Sequence, residues 1–239
     1  MSKILPILFN TEMVQAILDG RKNVTRRAVK PQPKKDQIHK LGVCIAGDKK
    51  DIGKFGFGSH EYGGNILRVK IPYQTGDILY VRETWQFVPC IECPNEENGS
   101  CSIGIEKVTY EDKYNISDGC FKYKANSITP SKTCWHPSIH MPKEATRIWL
   151  GVAEVRVERL QDMTLNDYLN EGVYLLPEAF NDPDNAYCKA KEIFSNIWNS
   201  TIEKTDITLY GWDANPWVWV IEFERCKKPK QEKGECENE

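Results

Sequence analysis

The basic segment Arg21–Lys30 places five cations within ten residues, with no acid among them. These cations are Arg21, Lys22, Arg26, Arg27 and Lys30. Guanidinium groups present paired donors that match phosphate oxygens, so the segment predicts an anion clamp for a nucleotide-type or RNA ligand. The alternative is a solvated strand edge whose charges prevent aggregation. Both interpretations fit the segment about equally well.

A second charged segment ends a predicted strand. Arg82 and Glu83 close the strand Ile78–Glu83, which follows a turn at Gly76-Asp77. Neighbouring strand residues point to opposite faces, so at most one of the two points inward. We treat both as candidate ligand-binding residues, with an ordinary charged strand end as the alternative.

Tryptophans are numerous for this length, and their faces can stack on the bases of single-stranded RNA. Most are expected in the core. Trp212, in the loop 210–216, is the best candidate for a ligand platform, and Trp135, beside His136, is the next.

The nine cysteines are an odd number, which does not suit a fully paired disulfide framework. Four of them can form a structural zinc site, because four thiolates complete a tetrahedron. These four are Cys90, Cys93, Cys101 and Cys120. Cys134 and His136 are competing ligands, and free thiols are the alternative. Such a zinc ion would hold a loop in place, and no cofactor is required for the chemistry.

Composition excludes several classes of protein. The net charge of -2 rules out a polybasic coat, so any attraction to phosphate must come from a local patch. The longest apolar stretch, near Trp217–Ile221, is too short to span a bilayer. The N-terminus lacks the features of a signal peptide. We therefore expect a cytoplasmic protein that does not bind membranes.

Periodicity predicts an α+β fold with irregularly spaced strands. The first unit is a strand at Ile4–Phe9, a helix that starts near Thr11 and ends at Gly20, and an extended segment Lys22–Arg27. Later elements include strands at Arg147–Leu160 and Trp217–Phe223. A mixed or antiparallel sheet curled into a small barrel, with helices at its ends, fits this pattern better than a doubly wound sheet.

Helical signals predict two helices in the second half of the chain. A short helix is capped by Thr164 and closed by Gly172, and a longer one covers about 185–200. The expected organisation is one domain over residues 1–226, with insertions at about 34–64 and 89–119. The first insertion can carry a hairpin. A charged tail over 227–239 is expected to be disordered.

These segments together resemble the ASCH domain family of the PUA-like superfamily. The resemblance rests on Ile17–Arg27, on Gly76-Asp77 with Val81–Glu83, on Glu171-Gly172 and on the closing strand Val218–Phe223. It covers about two thirds of the chain, and the segments 135–142 and 210–220 look most like members from bacteriophages and prophages.

The resemblance implies a small β-barrel with flanking helices and a cleft for RNA or nucleosides. Some members of the family hydrolyse the acetyl amide of N4-acetylcytidine. Their catalytic lysine and threonine match Lys22 and Thr25, their catalytic glutamate best matches Glu171, and a further arginine matches Arg27. Arg21, Arg26 and Arg27 would then contact the ligand.

Three hypotheses follow for the function. The first is an RNA- or nucleotide-binding module, and the second is an amidohydrolase that uses Lys22, Thr25 and Glu171. The third is a phage accessory protein that acts through a protein partner. The second requires a nucleophile, a proton acceptor and a stabiliser of the oxyanion. It also requires a bend at Lys22–Asn23, because in an ideal strand Lys22 and Thr25 point to opposite faces.

Overall fold

Helices and strands are mixed along the chain, which confirms the α+β class. The computed structural model describes residues 2–90, 96–97, 100–101, 108–111, 116–127 and 134–229. The α-helices in these ranges are α1 (Thr11–Leu18), α2 (Leu165–Asn170), α3 (Pro183–Ser200) and α4 (Ile207–Tyr210). The first seven strands are β1 (Ile4–Leu8), β2 (Val24–Ala28), β3 (His39–Val43), β4 (Lys54–Gly58), β5 (Leu67–Lys70), β6 (Ile78–Arg82) and β7 (Trp85–Pro89). The others are β8 (Glu96–Glu97), β9 (Ser100–Cys101), β10 (Val108–Glu111), β11 (Ile116–Tyr123), β12 (Trp149–Arg159) and β13 (Trp217–Cys226).

The chain divides into two compact units whose segments interleave in sequence. Unit 1 comprises Met1–Lys3, Asp19–Ile78 and Gly151–Glu224. Unit 2 comprises Ile4–Leu18, Leu79–Leu150 and Arg225–Glu239. Strand β12 therefore begins in unit 2 and continues in unit 1.

The central strands of unit 1 are ordered β12-β13-β2. Strand β13 is antiparallel to β2, with Ile221 opposite Thr25 and Trp219 opposite Arg27. The apolar core of the unit includes Val24 of β2 and residues from α2 and α3. On α3 the buried side chains recur at helical spacing, at Ala186, Ala190, Phe194 and Trp198. This periodic face seats the helix against the core.

A three-stranded meander, β3-β4-β5, occupies most of the region expected to be an insertion at 34–64. The hairpin suggested there is confirmed by the antiparallel pairing of β3 and β4. Phe55 and Phe57 on β4 lie 5.7 and 5.4 Å, centroid to centroid, from Trp219 and Trp217. These four rings attach the meander to the rest of unit 1. The sequence predicts a strand at Ile66–Ile71 from its alternation, and β5 confirms it. The bounds of β3 and β4 were not predicted, because glycines and lysines interrupt their apolar pattern.

The segment that enters β6 meets β12 at two hydrogen bonds within unit 1. Gly76 N donates to Val152 O at 2.8 Å, and Val152 N donates to Asp77 O at 2.9 Å. Asp77 is buried, and its carboxylate accepts from the backbone of Lys3 and Gln74. The hydrogen bonds of the Asp77 carboxylate thus stabilise the turn at Gly76-Asp77.

Unit 2 contains α1 and two groups of strands. Strands β1, β6 and the first residues of β12 are neighbours, and β7, β11 and β10 form an antiparallel sheet. An aromatic cluster covers this sheet around Trp85, Phe87 and Phe121. Strand β7 was missed in the sequence, while β10 and the first part of β11 fall in the region 89–119.

The described residues form open sheets, and no closed barrel is found among them. Most of the tail expected to be disordered, 230–239, lies outside the described residues. None of the helices in the described ranges combines the length and the apolar composition needed to cross a membrane.

Helix α2 is fixed at its start by a reciprocal cap. Asp167 N donates to the Thr164 hydroxyl, and Thr164 N donates to Asp167 Oδ2 at 2.9 Å. Just past its end, Gly172 adopts φ +95°, a conformation that disfavours other residues. The cap and the conformation of Gly172 together fix the backbone at Glu171, which lies between α2 and Gly172. They therefore determine the position of its side chain.

We expect Thr164→Ala to lower the free energy of unfolding by about 1 kcal/mol, because it removes the cap hydrogen bond. Chemical denaturation measures the change. Thr164→Ser keeps the hydroxyl and should lose much less. Equal losses in the two variants would contradict a role of the cap.

Candidate functional site

Lys22 and Glu171 form a buried ion pair in unit 1. Lys22 Nζ lies 2.6 Å from Glu171 Oε2, and the two side chains are 0% and 3% exposed. The same ammonium donates to Glu171 O at 2.8 Å and to Val24 O at 2.7 Å. Backbone pairing also joins the two residues in an isolated antiparallel bridge. The structure thus brings together two of the three residues proposed for catalysis.

The side chain of Lys22 runs along the chain and not across it. Its ammonium reaches the carbonyl of Val24, and that carbonyl belongs to the peptide group that leads into Thr25. Lys22 precedes β2, and Asn23 between them pairs separately, with its N–H donating to Asn170 O. The Lys22 ammonium therefore lies next to the backbone of Thr25, although the side chains of residues 22 and 25 would point to opposite faces of an ideal strand.

Arg26 braces the pair from the same side of β2 as Val24. Its Nη1 donates to Glu171 Oε1 at 3.3 Å, and its Nη2 donates to Asp167 Oδ1 at 2.9 Å. Asp167 lies in α2 and Glu171 directly follows its last residue. Because the two are four residues apart, their side chains lie on the same face of the helix. Glu158 on β12 lies 3.5 Å from the same Nη2. Two acids of one helical segment therefore hold one guanidinium.

Burial is the largest influence on protonation at this site. It lowers the pKa of Lys22 below its ordinary value, and the carboxylate of Glu171 opposes that shift while Arg27 and Arg26 add to it. Burial raises the pKa of Asp167, but hydrogen bonds from Thr164 and Arg26 outweigh it, so the pKa of Asp167 is lowered overall. Lys22 thus loses its proton more readily than a surface lysine.

Thr25 and Arg27 occupy the other face of β2. Thr25 is 2% exposed. Arg27 is partly exposed, and burial lowers its pKa while Tyr73 and Glu171 oppose the shift. Burial also raises the pKa of Tyr73, against the charge of Arg27. Arg27 therefore interacts electrostatically with both Glu171 and Tyr73.

The remaining cations of the basic segment lie close to acids. Arg21 Nη2 is 2.9 Å from Asp19 Oδ2, and Lys30 Nζ is 3.8 Å from Asp206 Oδ2. Lys30 also lies 4.6 Å from the centre of the Tyr210 ring. Acids therefore neutralise much of the segment, which weakens the interpretation as a phosphate clamp.

Two candidate residues of unit 2 have partners of their own. Glu83 is buried, and both its carboxylate oxygens accept from Arg147, at 2.8 and 2.9 Å. Arg82 Nε donates to Met141 O at 2.8 Å. The Arg147 guanidinium also lies 4.0 Å from the centre of the Tyr123 ring. These contacts assign Glu83 a structural ion pair, while a ligand role for Arg82 stays a prediction.

The two candidate aromatic platforms differ in exposure. Trp212 is only 7% exposed and belongs to the core of unit 1, with its ring 6.0 Å from that of Phe194. Its ring packs against other side chains, so we do not assign it to a ligand. Trp135 is partly exposed, and its role stays a prediction.

The structure describes only part of the candidate zinc site. Cys93 and the side chain of Cys101 lie outside the described residues, while Cys90 is partly buried, Cys120 is buried, and neither forms a disulfide with another described cysteine. The competing ligands Cys134 and His136 are exposed. Among the side chains that are described, no group of three or more metal-ligating residues occurs. Zinc stays a prediction.

Sequence reasoning missed Asp167 and Glu158, and it named Glu171 without its contact to Arg26. The spacing of Asp167 and Glu171 was a usable signal, because two acids four residues apart around a helix end can share one cation. Glu158 gave no such signal, since its approach to Arg26 depends on the neighbouring strands. Tyr73 was passed over as part of a turn.

Comparison of the chain with protein-family models, with curated proteins and with solved structures yields no match.

We expect Lys22→Met and Glu171→Gln each to lower the free energy of unfolding by about 3 kcal/mol, because each leaves a buried polar group without its main partner. The double variant should lose at least about 1 kcal/mol less than the sum of the two. Chemical denaturation of all four proteins measures this coupling.

Lys50→Met is the matched control for that cycle. It removes the partner of Asp48 from an ion pair exposed to solvent, so stability should hardly change. Strict additivity of the two buried substitutions would show that the contact contributes no coupling.

Proposed function

We propose that this protein hydrolyses an acyl amide on a nucleoside, with Lys22, Thr25 and Glu171 as its catalytic residues. The observation that carries the proposal is the 2.6 Å contact between the Lys22 ammonium and the Glu171 carboxylate, next to the peptide that enters Thr25. The resemblance to the ASCH family, with its PUA-like barrel, supplies the substrate class. N4-acetylcytidine is the substrate to test first.

The burial of the pair supports a catalytic role over a purely stabilising one. Removing two charges from water is expensive, and apolar residues of similar volume often stabilise a fold as well or better. A buried lysine with a lowered pKa and a specific acid partner is typical of functional sites. The extra neighbours Arg26 and Asp167 hold the acid in one orientation.

The proposed reaction begins with a rearrangement that brings the Thr25 hydroxyl, which lies on the face of β2 opposite Arg26, to the Lys22 amine. Neutral Lys22 then accepts the proton of this hydroxyl, whose oxygen attacks the acyl carbon. The proton then passes through Glu171 to the leaving amine, as the bond between carbon and nitrogen breaks. Water hydrolyses the resulting ester by the same relay, giving the free acid and Thr25. Arg27 supplies positive charge for the oxyanion.

Charge in the meander favours a second candidate function, binding of RNA. The stretch 34–70 carries eight Lys and Arg residues against four acidic ones, although the whole chain is slightly acidic. Local positive charge attracts a polyanion and makes its binding depend on salt. An RNA binder without turnover should lose affinity steeply as salt rises, whereas deacylation of a free nucleoside should not.

We expect the purified protein to release acetate from N4-acetylcytidine, and Thr25→Val and Lys22→Arg to lower kcat at least about 100-fold. Valine keeps the shape of Thr25 without its hydroxyl, and arginine keeps the charge of Lys22 but does not act as a base at neutral pH. Chromatography of the two nucleosides measures turnover.

Matched controls for this assay are Thr208→Val and Lys189→Met, which change exposed residues elsewhere in unit 1. Both should retain full activity. Turnover that survives in Thr25→Val would rule out the hydroxyl as the nucleophile.

The rate should rise with pH as Lys22 loses its proton, with a midpoint below the ordinary pKa of lysine. Arg27→Gln should move this rise to higher pH, because the charge of Arg27 lowers the pKa of Lys22 and its removal raises it. The pH profile of kcat in the two proteins measures the shift. A shift to lower pH in Arg27→Gln would exclude Lys22 as the base.

A further inference from the structure

Lys22 and Arg21 bind consecutive carbonyl groups at the end of α2. Lys22 Nζ donates to Glu171 O at 2.8 Å, and Arg21 Nη1 donates to Gly172 O at 2.9 Å. This follows from the antiparallel bridge between Lys22 and Glu171, which sets Arg21 beside Gly172. The Arg21 guanidinium therefore binds the carbonyl that follows Glu171 in the chain.

Both terminal nitrogens of the Arg21 guanidinium make a hydrogen bond. Nη1 bonds Gly172 O, and Nη2 bonds the carboxylate of Asp19 at 2.9 Å. These two bonds fix the plane of the group, and Asp19 offsets its charge. The side chain is still 35% exposed. Hydrogen bonds in the plane of a guanidinium leave its flat face available for stacking on aromatic rings.

An exposed aromatic ring stands over this guanidinium. Tyr174 is 61% exposed, and Arg21 Cζ lies 5.8 Å from the centre of its ring. Tyr174 follows Glu171 and Gly172 closely in sequence, so one short segment carries the buried acid and the exposed ring. Both are part of unit 1.

We propose that Arg21 and Tyr174 form a stacking subsite for the planar, uncharged ring of a nucleobase. This proposal rests on the proposed function, because it assigns the part of the site that holds the base while the acyl group reaches Lys22 and Glu171. Stacking on an aromatic side chain accepts any base, since each base presents a π face. Asp19 offsets the charge of Arg21 and occupies one of its donors, so the subsite favours an uncharged ring over a phosphate group.

The test measures equilibrium binding separately from turnover. Dissociation constants for cytidine and for cytidine 5′-monophosphate are measured by equilibrium dialysis with wild type, Tyr174→Ala, Tyr174→Phe and Tyr62→Ala. Tyr62 is 95% exposed in the same unit and serves as the matched control. KM and kcat for N4-acetylcytidine are measured on the same four proteins.

We expect Tyr174→Ala to weaken cytidine binding at least about five-fold and to raise KM by a similar factor, the usual effect of removing one stacking ring. Tyr174→Phe keeps the ring and should bind like wild type, as should Tyr62→Ala. Cytidine and its monophosphate should bind to the wild type within about two-fold of each other, and kcat should stay unchanged in Tyr62→Ala.

Four results would overturn the subsite. They are unchanged binding in Tyr174→Ala, an equal loss in Tyr62→Ala, a monophosphate that binds about ten-fold or more tightly than cytidine, and the absence of any nucleoside binding. Binding that depends on Tyr174 without any deacetylation would support the subsite and refute the proposed catalysis.

Discussion

Two opposite charges removed from water must remain together, and much of unit 1 enforces this constraint. Glu171 sits at the end of α2, where the Thr164 cap and Gly172 fix the course of the backbone. Arg26 reaches the same acid from β2 and is held in turn by Asp167. The contacts of Lys22 and Arg26 with Glu171 therefore fix the position of β2 relative to the end of α2. Low dielectric strengthens each of these contacts and penalises each missing one.

Buried and exposed residues of the candidate site lie within a few residues of each other in the sequence. Lys22 and Glu171 are closed off from solvent, while Arg21 and Tyr174, their near neighbours in sequence, are not. In the function proposed above, the buried pair carries out the chemistry, and the exposed cation and ring recognise the substrate. The positions of the proposed catalytic groups are then set by the core, so recognition can vary without disturbing them.

Much of the order of elements could be predicted from the sequence, because local signals govern it. The helix cap at Thr164, the turn at Gly76-Asp77 and the glycines at positions 20 and 172 act over a few residues. Strands β3 and β4 could be predicted only as a hairpin without bounds, because they are short and β4 packs on tryptophans far away in the sequence. Trp212 was assigned to a ligand because its loop looks polar, yet α3 supplies a partner ring that the sequence did not reveal. The carboxylates around Arg26 come from separate elements, so only the folded chain shows their convergence.

The hydrogen bonds of Val152 with the Gly76-Asp77 turn have a consequence for how this chain can be varied. Because Val152 bonds residues on either side of that peptide, the backbone departs toward residue 79 and returns after residue 150 at one place. Segments whose two ends already lie side by side can be lengthened, exchanged or shortened with little change in loop-closure entropy. The two hydrogen bonds between Val152 and the Gly76-Asp77 turn can therefore persist when a loop in the stretch between these ends changes in length.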